Sequence, residues 1–495
     1  MKFYIFLILS CFIYDFSLAQ KSDYVWVLGH NGGTILDFNS SPPSISFVDK
    51  DAEMSFTNAS FCNSEGSLLF YTNGCEIYNA ENALMDNGAG INPGQIHDAH
   101  CQEPFSAYSV PRGALILPLP DDTTKFYLFH QGANVVFQPI LDVFVEKQYY
   151  SIIDMSLNNG LGKVIEKNKI VIQDTLQSGD LTAVKHKNGK DWWVIVPQRF
   201  TNKYYKTLFT SDGIADVFEQ IIGDSTSQGS DGGGQAVFSP TGLLYVRYNP
   251  VNDIFLFDFD RETGLISNYR HIPVAGDSAF VGGAAISPNS RFLYISSETK
   301  FYQFDLEAED IAASQVLLGE YDGYMSPFAT TFFHAQLAPD CKIYITCSNS
   351  ANVFHVINNP DEPGLACDFV QHGVQLATSN AFSIPNFPNY RLGVVPELPC
   401  VLTTSSESIV SKKGGVKVFP NPAKEEIKIV LPAPLTAPAE WRLFNTVGQM
   451  VQRSVVPTGQ QEQSLSLAGV PPGLYFWKMQ VEGRQVRSGK VVVAK

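Results

Sequence analysis

Short runs in which apolar side chains alternate with polar ones recur along the first 400 residues, each following a small or polar residue. Each run closes on a Pro, Gly or Asn turn and is followed by a second, strongly β-prone run. The pattern reads ASFCNSEGSLLFYT from Ala59, GALILPLPDDTTKFYLF from Gly113 and LTAVKHKNGKDWWVIV from Leu181. It continues as GQAVFSPTGLLYVRY from Gly234, GAAISPNSRFLYIS from Gly283 and HAQLAPDCKIYIT from His334. A third strand follows in most units, as in DIFLFDFD from Asp253, KFYQFDLE from Lys300 and NVFHVINN from Asn352. Pro240, Pro288 and Pro339 are 48 and 51 residues apart, the spacing of propeller blades in a WD40-like repeat.

A four-stranded antiparallel sheet cannot bury both faces alone, and a ring of such sheets solves this while protecting the strand edges. The sequence therefore predicts an all-β chain with a β-propeller over residues 20–400. Six blades are visible, and a seventh is assembled if FSIPNF from Phe382 supplies an inner strand to YVWVLG and TILDF at the amino end. Six blades are the alternative. Seven blades give about 54 residues each, accommodating long loops such as 137–170. Residues 401–415, VLTTSSESIVSKKGG, have the composition of a flexible linker. Beyond them EIKIVL, WRLFNTVG, GLYFWKMQVEG and GKVVVAK alternate as the strands of a small β-sandwich over residues 416–495, with six or seven strands.

Composition sharpens this picture. The chain has 495 residues, 44% hydrophobic and 17% charged, ample for a core and far from the composition of a disordered protein. A formal charge of −15 repels phosphate backbones and anionic lipid, so nucleic acid is not an expected partner. The charge is divided unequally: residues 416–495 hold ten Lys/Arg against five Glu, or +5, leaving −20 for residues 1–415.

At the amino terminus Lys2 precedes an apolar stretch from Phe3 to Ile13, and Ser17-Leu18-Ala19 fits a signal-peptidase site. Cleavage between Ala19 and Gln20 is expected, with residues 1–19 as the signal peptide. A lipoprotein-type processing at Cys11 is the alternative. No later run reaches the length of a membrane-spanning helix. Removal of the signal leaves Cys62, Cys75, Cys101, Cys341, Cys347, Cys367 and Cys400, an odd number, so they cannot all pair within the chain. Their pairing is open, except that Cys341 and Cys347 flank the strand KIYIT and lie too far apart along it to bond.

The carboxy-terminal residues VFPNPAKEEIKIVL, WRLFNTVGQMV, LAGVPPGLYFWKM and SGKVVVAK resemble the type A C-terminal sorting domain of the type IX secretion system of Bacteroidota. The resemblance rests on Pro420-Asn421-Pro422, Phe444-Asn445 with Gly448, Gly473-Leu474-Tyr475, and Gly489-Lys490 leading a last strand that ends in Lys495. It implies that the translocon is the partner of residues 416–495 and that the protein reaches the cell surface or the medium by way of the periplasm. Stretches of the propeller, among them GSLLFYTNG at Gly66, AQLAPDCKIYITC at Ala335 and NAFSIPNFPNYRLG at Asn380, resemble exported Bacteroidota propeller proteins with the same tail. That resemblance bears on fold and location and brings no catalytic residues.

Candidate chemistry in the propeller is sparse. His97, His100 and Cys101, with Asp98 and Glu103 beside them, form the one cluster with metal-ligand chemistry, against a reading as a solvated loop. GDSTSQGSDGGGQ, residues 223–235, could hold calcium through Asp224 and Asp231, against a reading as a flexible lead into a strand. Ser239-Pro240 and Ser287-Pro288 read as turns, and Asn188-Gly189 as a hairpin. Trp192-Trp193 place one ring on each face of a strand, leaving one of them a candidate for stacking on a glycan. No cofactor motif is present. The resulting expectation is a binding or adhesion propeller without enzymatic activity, its ligand an extracellular glycan or protein at one end of the ring. The alternatives are a propeller enzyme acting on glycans or lactones and a structural part of a surface apparatus.

Overall fold

The computed structural model describes residues 20–102, 107–136, 142–227, 233–276, 279–394, 417–431, 438–445, 450–481 and 484–494. Ala19, Glu103, Asp231, Cys400, residues 401–415, Gly448 and Lys495 lie outside the described residues. Two compact units divide at residue 401.

Alternation with turn punctuation produces seven successive blades of antiparallel strands in the first unit, the second and third joined at their outer edges, by a parallel pairing of Asp86 with Lys163, into one eight-stranded sheet. Blade 1 is β1 (Val25–Leu28), β2 (Gly33–Asp37) and β3 (Ser44–Val48); blade 2 is β4 (Ala59–Cys62), β5 (Leu68–Thr72), β6 (Glu76–Asn79) and β7 (Leu84–Ala89). A short helix, α1 (Gln95–His100), leads to blade 3: β8 (Ala114–Pro118), β9 (Lys125–Val136), β10 (Asp142–Asp154) and β11 (Lys163–Leu176). Blade 4 is β12 (Thr182–Lys185), β13 (Trp192–Pro197), β14 (Lys203–Thr210) and β15 (Gly213–Ile221). Blade 5 is β16 (Gln235–Phe238), β17 (Leu244–Asn249), β18 (Asp253–Asp260) and β19 (Leu265–Ile272). Blade 6 is β20 (Gly282–Ile286), β21 (Phe292–Ser297), β22 (Lys300–Asp305) and β23 (Val316–Glu320). Blade 7 is β24 (Phe332–Leu337), β25 (Ile343–Cys347), β26 (Ser350–Ile357) and β27 (Phe369–Ala381).

Each repeated sequence unit is the first two strands of a blade. The small residue that opens the unit is required by close packing: a Cβ on Gly234 would lie 2.2 Å from the Tyr248 carbonyl, and one on Gly283 would lie 2.6 Å from the Phe333 carbonyl. The Ser-Pro turns are structural, because Ser239 Oγ accepts from Leu244 N at 3.1 Å and Ser287 Oγ accepts from Phe292 N at 2.8 Å. Asn188 Oδ1 accepts from the amides of Lys190 and Asp191, both at 3.0 Å, confirming that hairpin.

Three expectations are corrected. The loop expected over 137–170 is largely the long strands β10 and β11, whose outward faces are polar and therefore read as loop. Residues 382–387 form no strand, and blade 1 has three strands rather than completion from the carboxy end. The ring closes instead by packing β2 and β3 against β27, with His30 N donating to Ser379 O at 3.0 Å and Thr378 N donating to Thr34 Oγ1 at 3.0 Å. Trp192 and Trp193 are 1% and 3% exposed, so neither offers a ring to a glycan: both faces of a blade are covered by its neighbours.

The second unit contains β28 (Lys417–Phe419), β29 (Glu426–Val430), β30 (Ala439–Phe444), β31 (Met450–Val456), β32 (Glu462–Ser466), β33 (Gly473–Val481) and β34 (Arg484–Val493). They form a three-stranded sheet, β28-β29-β32, and a four-stranded sheet, β31-β30-β33-β34. Alternate residues such as Ile427, Ile429, Trp441, Leu443, Trp477 and Val491 share one core between them, which makes this unit a β-sandwich.

Candidate functional site

After β27 the chain crosses the propeller axis. Residues 382–394 touch blade after blade: Asn386 N donates to Asn58 O at 3.1 Å, and Asn386 Nδ2 donates to Arg112 O at 3.2 Å and Leu181 O at 3.0 Å. Tyr390 Oη donates to Ile116 O at 2.7 Å, and Asn389 Nδ2 donates to Pro240 O at 2.8 Å. Phe382 stacks on Phe56, while Phe387 packs by Trp26 and Tyr390 by Phe61 and Trp192. Pro385 and Pro388 suit such a segment, since neither supplies an N–H to a strand ladder. The segment ends on Arg391, which grips Asp23 with Nη1–Oδ1 at 2.6 Å and Nη2–Oδ2 at 2.8 Å. The channel thus carries a plug formed by the last residues of the ring.

Between the plug and the ends of β12, β16, β20 and β24 lies a cavity of about 80 Å³, part of a wider cleft of about 810 Å³ that includes open solvent. Val184, Val237, Ile286, Leu337 and Phe387 give it apolar walls. Thr182, Ser239, Gln336 and Asn389 are its neutral polar groups, with Asp23, Arg391 and Arg112 as the charged ones. Arg112 is 2% exposed and adopts a left-handed backbone, φ 49°. Its Nη2 donates to Asn386 Oδ1, while Nε and Nη1 meet no acceptor. Burial lowers its pKa to about 10, with Asp180 opposing the shift. Asp180 is committed to Arg247, whose Nε and Nη2 both lie 2.8 Å from Asp180 Oδ2. His334 Nε2 donates to Gly234 O at 3.2 Å, and burial, aided by the charge of Arg112, holds its pKa well below the usual value.

The sequence-predicted residues fall elsewhere. Cys101 is disulfide-bonded to Cys75, so it is withdrawn from the suggested metal cluster with His97 and His100. Those histidines sit on α1, not on an extended loop, with His100 Nδ1 3.1 Å from Ser109 Oγ and His97 Nδ1 3.6 Å from Asp98. Asp224 Oδ2 accepts from Tyr269 Oη at 2.9 Å. Cys341 is disulfide-bonded, whereas Cys347 is free and buried, in agreement with the geometry that kept them apart. Arg112, Asn386 and the Asp23–Arg391 pair were missed; the signal that could have found them is Asn386-Phe387-Pro388-Asn389-Tyr390-Arg391, a polar-aromatic stretch inside a resemblance already noted.

In the sandwich Pro420-Asn421-Pro422 and Gly489-Lys490 are brought together. Asn421, between Pro420 and Pro422, accepts from Val492 N at 2.9 Å through Oδ1 and donates to Lys490 O at 3.3 Å through Nδ2. Gly489 and Lys490 pair with Trp477 and Phe476 across β33 and β34. Gly473 opens β33, Asn445 follows β30, and Tyr475 Oη donates to Pro471 O at 2.8 Å.

These features define an exported, two-unit protein: a seven-bladed propeller followed by a sorting sandwich. Residues 417–494 match the secretion system C-terminal sorting domain. That domain supports export by the type IX secretion system to the cell surface or extracellular space. Among the described residues no helix is long and apolar enough to cross a membrane. No curated protein matches the chain. Solved structures similar to it include the periplasmic gluconolactonase of Pseudomonas aeruginosa, at 14% identity and a TM-score of 0.41, covering 72% of this chain and 98% of that one. The gluconolactonase of Xanthomonas campestris is 10% identical, with a TM-score of 0.31 and coverage of 66% and 92%. The Dos1 propeller is 12% identical, with a TM-score of 0.33 and coverage of 66% and 72%. The expectation of a propeller without enzymatic activity is therefore corrected, because chains named as lactonases are among its structural neighbours. At these identities no activity carries over to this chain.

Proposed function

We propose that the propeller is an exported binding module whose ligand enters the cavity at the mouth of the plugged channel. The observation carrying this reading is the cavity itself, where four blades and the plug converge polar groups onto apolar walls, the arrangement of a small-molecule site. The ligand is an extracellular glycan end or a small organic molecule. Residues 416–495 deliver the module through contacts with the type IX translocon, and Asn421, Tyr475, Gly489 and Lys490 hold the sandwich in the form that is recognised.

The test is a glycan array together with a panel of small sugars, sugar acids and lactones, reading both binding and turnover. Gln336→Trp and Asn389→Trp fill the mouth from two sides. Ligands bound or consumed by the wild type are expected to be lost in both variants. Retention by both variants refutes the cavity as the ligand surface.

A further inference from the structure

Among the described residues, blade 1 alone stops at three strands, and no strand pairs with the outer side of β3. An open edge presents a row of backbone N–H and C=O groups to any extended chain, and edges are normally blunted by bulges, charges or prolines. The other outermost strands of the ring are blunted in this way. The pairing of β7, β11, β15, β19, β23 and β27 with the strand before each breaks register at least once, and all but β27 carry a charged residue. By contrast β3 pairs with β2 over five positions without a break and carries no charge. Pro42 and Pro43 precede it and leave its own N–H groups in place. Ile45 and Phe47, two residues apart and so on one face, are 38% and 60% exposed, and Ser44 and Ser46 are exposed as well. None of these residues lines the cavity.

We infer that β3 is a strand-addition site, where an extended segment of a partner protein completes blade 1 as its fourth strand, with basic residues at the segment's amino end and alternating apolar residues after them. Backbone pairing supplies the attraction, and Ile45 and Phe47 cover every second side chain of the added strand. Charge sets the rest of the chemistry. An added strand antiparallel to β3, as β2 is, begins opposite Val48 and so beside Asp49 and Asp51, which are exposed and form no ion pair among the described residues. Lys50 between them is buried, its Nζ donating to Gly29 O at 2.9 Å. A second copy of this chain fits less well. The edge is about 17 Å long, and pairing along it alone falls well short of the roughly 1,200 Å² that a stable dimer buries. The charge of −20 over residues 1–415 of each copy also opposes that approach, whereas it draws in a cationic peptide.

The experiment titrates the full chain with the labelled peptide KKVTVTV by fluorescence anisotropy, beside EEVTVTV and KKVTPTV, and follows hydrogen exchange at the amides of residues 44–48 that do not bond to β2. KKVTVTV is expected to bind and to slow that exchange about tenfold. KKVTPTV, which lacks a backbone donor in mid-strand, should bind about tenfold more weakly, and EEVTVTV about fivefold more weakly. Phe47→Lys, at an exposed site, should weaken KKVTVTV binding about tenfold and leave the Tm in place. Asp49→Asn combined with Asp51→Asn should remove the preference over EEVTVTV. Should Phe47→Lys fail to fold, exchange in the wild type decides alone. Equal binding of the proline peptide, or binding indifferent to Phe47→Lys, would overturn strand addition at this edge. Protection of the same amides in the free chain would assign the edge to the chain's own residues, and a dimer in sedimentation that Phe47→Lys splits would assign it to a second copy; either overturns the partner assignment. Absence of binding at about 1 mM KKVTVTV also defeats it.

Discussion

Replacing Asn386 with alanine is expected to loosen the plug, and its magnitude follows from the bonds at that side chain. Asn386 is 1% exposed and makes three side-chain hydrogen bonds, to Arg112 O, Leu181 O and the Arg112 guanidinium. Two neutral bonds at about 1 kcal/mol each and one to a charge at about 1.5–3 kcal/mol sum to roughly 3.5–5 kcal/mol. The cavity beside Arg112 lets water reach part of what is uncovered, lowering the expected loss to about 3–4 kcal/mol. For a unit spanning residues 20–394, with an unfolding entropy of about 2.1 cal/mol/K per residue, this corresponds to a Tm lower by about 4–5 °C. Scanning calorimetry of the full chain reads it, with the sandwich transition as internal reference. Asn389→Ala is the control: at a half-buried site it loses two neutral bonds, one to Pro240 O and one from Arg391 N, for about 1–2 kcal/mol. Equal Tm losses for Asn386→Ala and Asn389→Ala would refute the idea that this segment ties the blades together.

Removing the Cys75–Cys101 disulfide by a double alanine substitution releases a 26-residue separation and should cost about 3.5 kcal/mol, read by urea denaturation. Burial lowers the pKa of Lys50 and of Lys185 to about 8, the latter with help from Arg261. The unfolded chain holds those protons to about 10.5, so stability should rise between pH 8 and about 9.5, by about 1–2 kcal/mol per lysine. Lys50→Met and Lys185→Met should each flatten that rise in denaturation curves; a wild-type profile falling over the same window refutes the assignment. Asn421→Ala removes two side-chain bonds that, beside the backbone bonds of Ala423, join the start of the sandwich to its last strand, about 1 kcal/mol, and should reduce the surface and medium fractions in fractionated cells while propeller stability stays unchanged.

The blades were legible because their first two strands alternate cleanly and end on residues with a single structural use, such as Ser239-Pro240 and Asn188-Gly189. Outer strands were less legible. In β11, KVIEKNKIVIQDTL, both faces carry charge because much of the strand faces solvent, and the alternation fades. FSIPNF misled for the opposite reason: its Ile384 and Phe387 are buried, as those of a strand would be, yet they are buried in the channel rather than between blades. The cavity could not be read at all. Its walls come from four blades, and Arg112 meets Asn386 across 274 positions, a juxtaposition that no local pattern encodes.

The plug also orders events in time. Asp23 waits for Arg391 across 368 positions, and Arg112 waits for Asn386 across 274, so these tethers cannot form on the ribosome until almost the whole propeller has emerged. Ring closure is therefore a late, high-contact-order step, slowed by the entropy of bringing distant segments together. Until it occurs the blades form an open arc with an unsealed seam between β3 and β27, and a truncated product ending before β27 would stay in that state and be an early substrate for proteases. The chain thus checks its own completeness: the sequence that seals the ring lies just before the 401–415 segment and the sorting domain beyond it, so a chain that carries the address has already synthesised its seal.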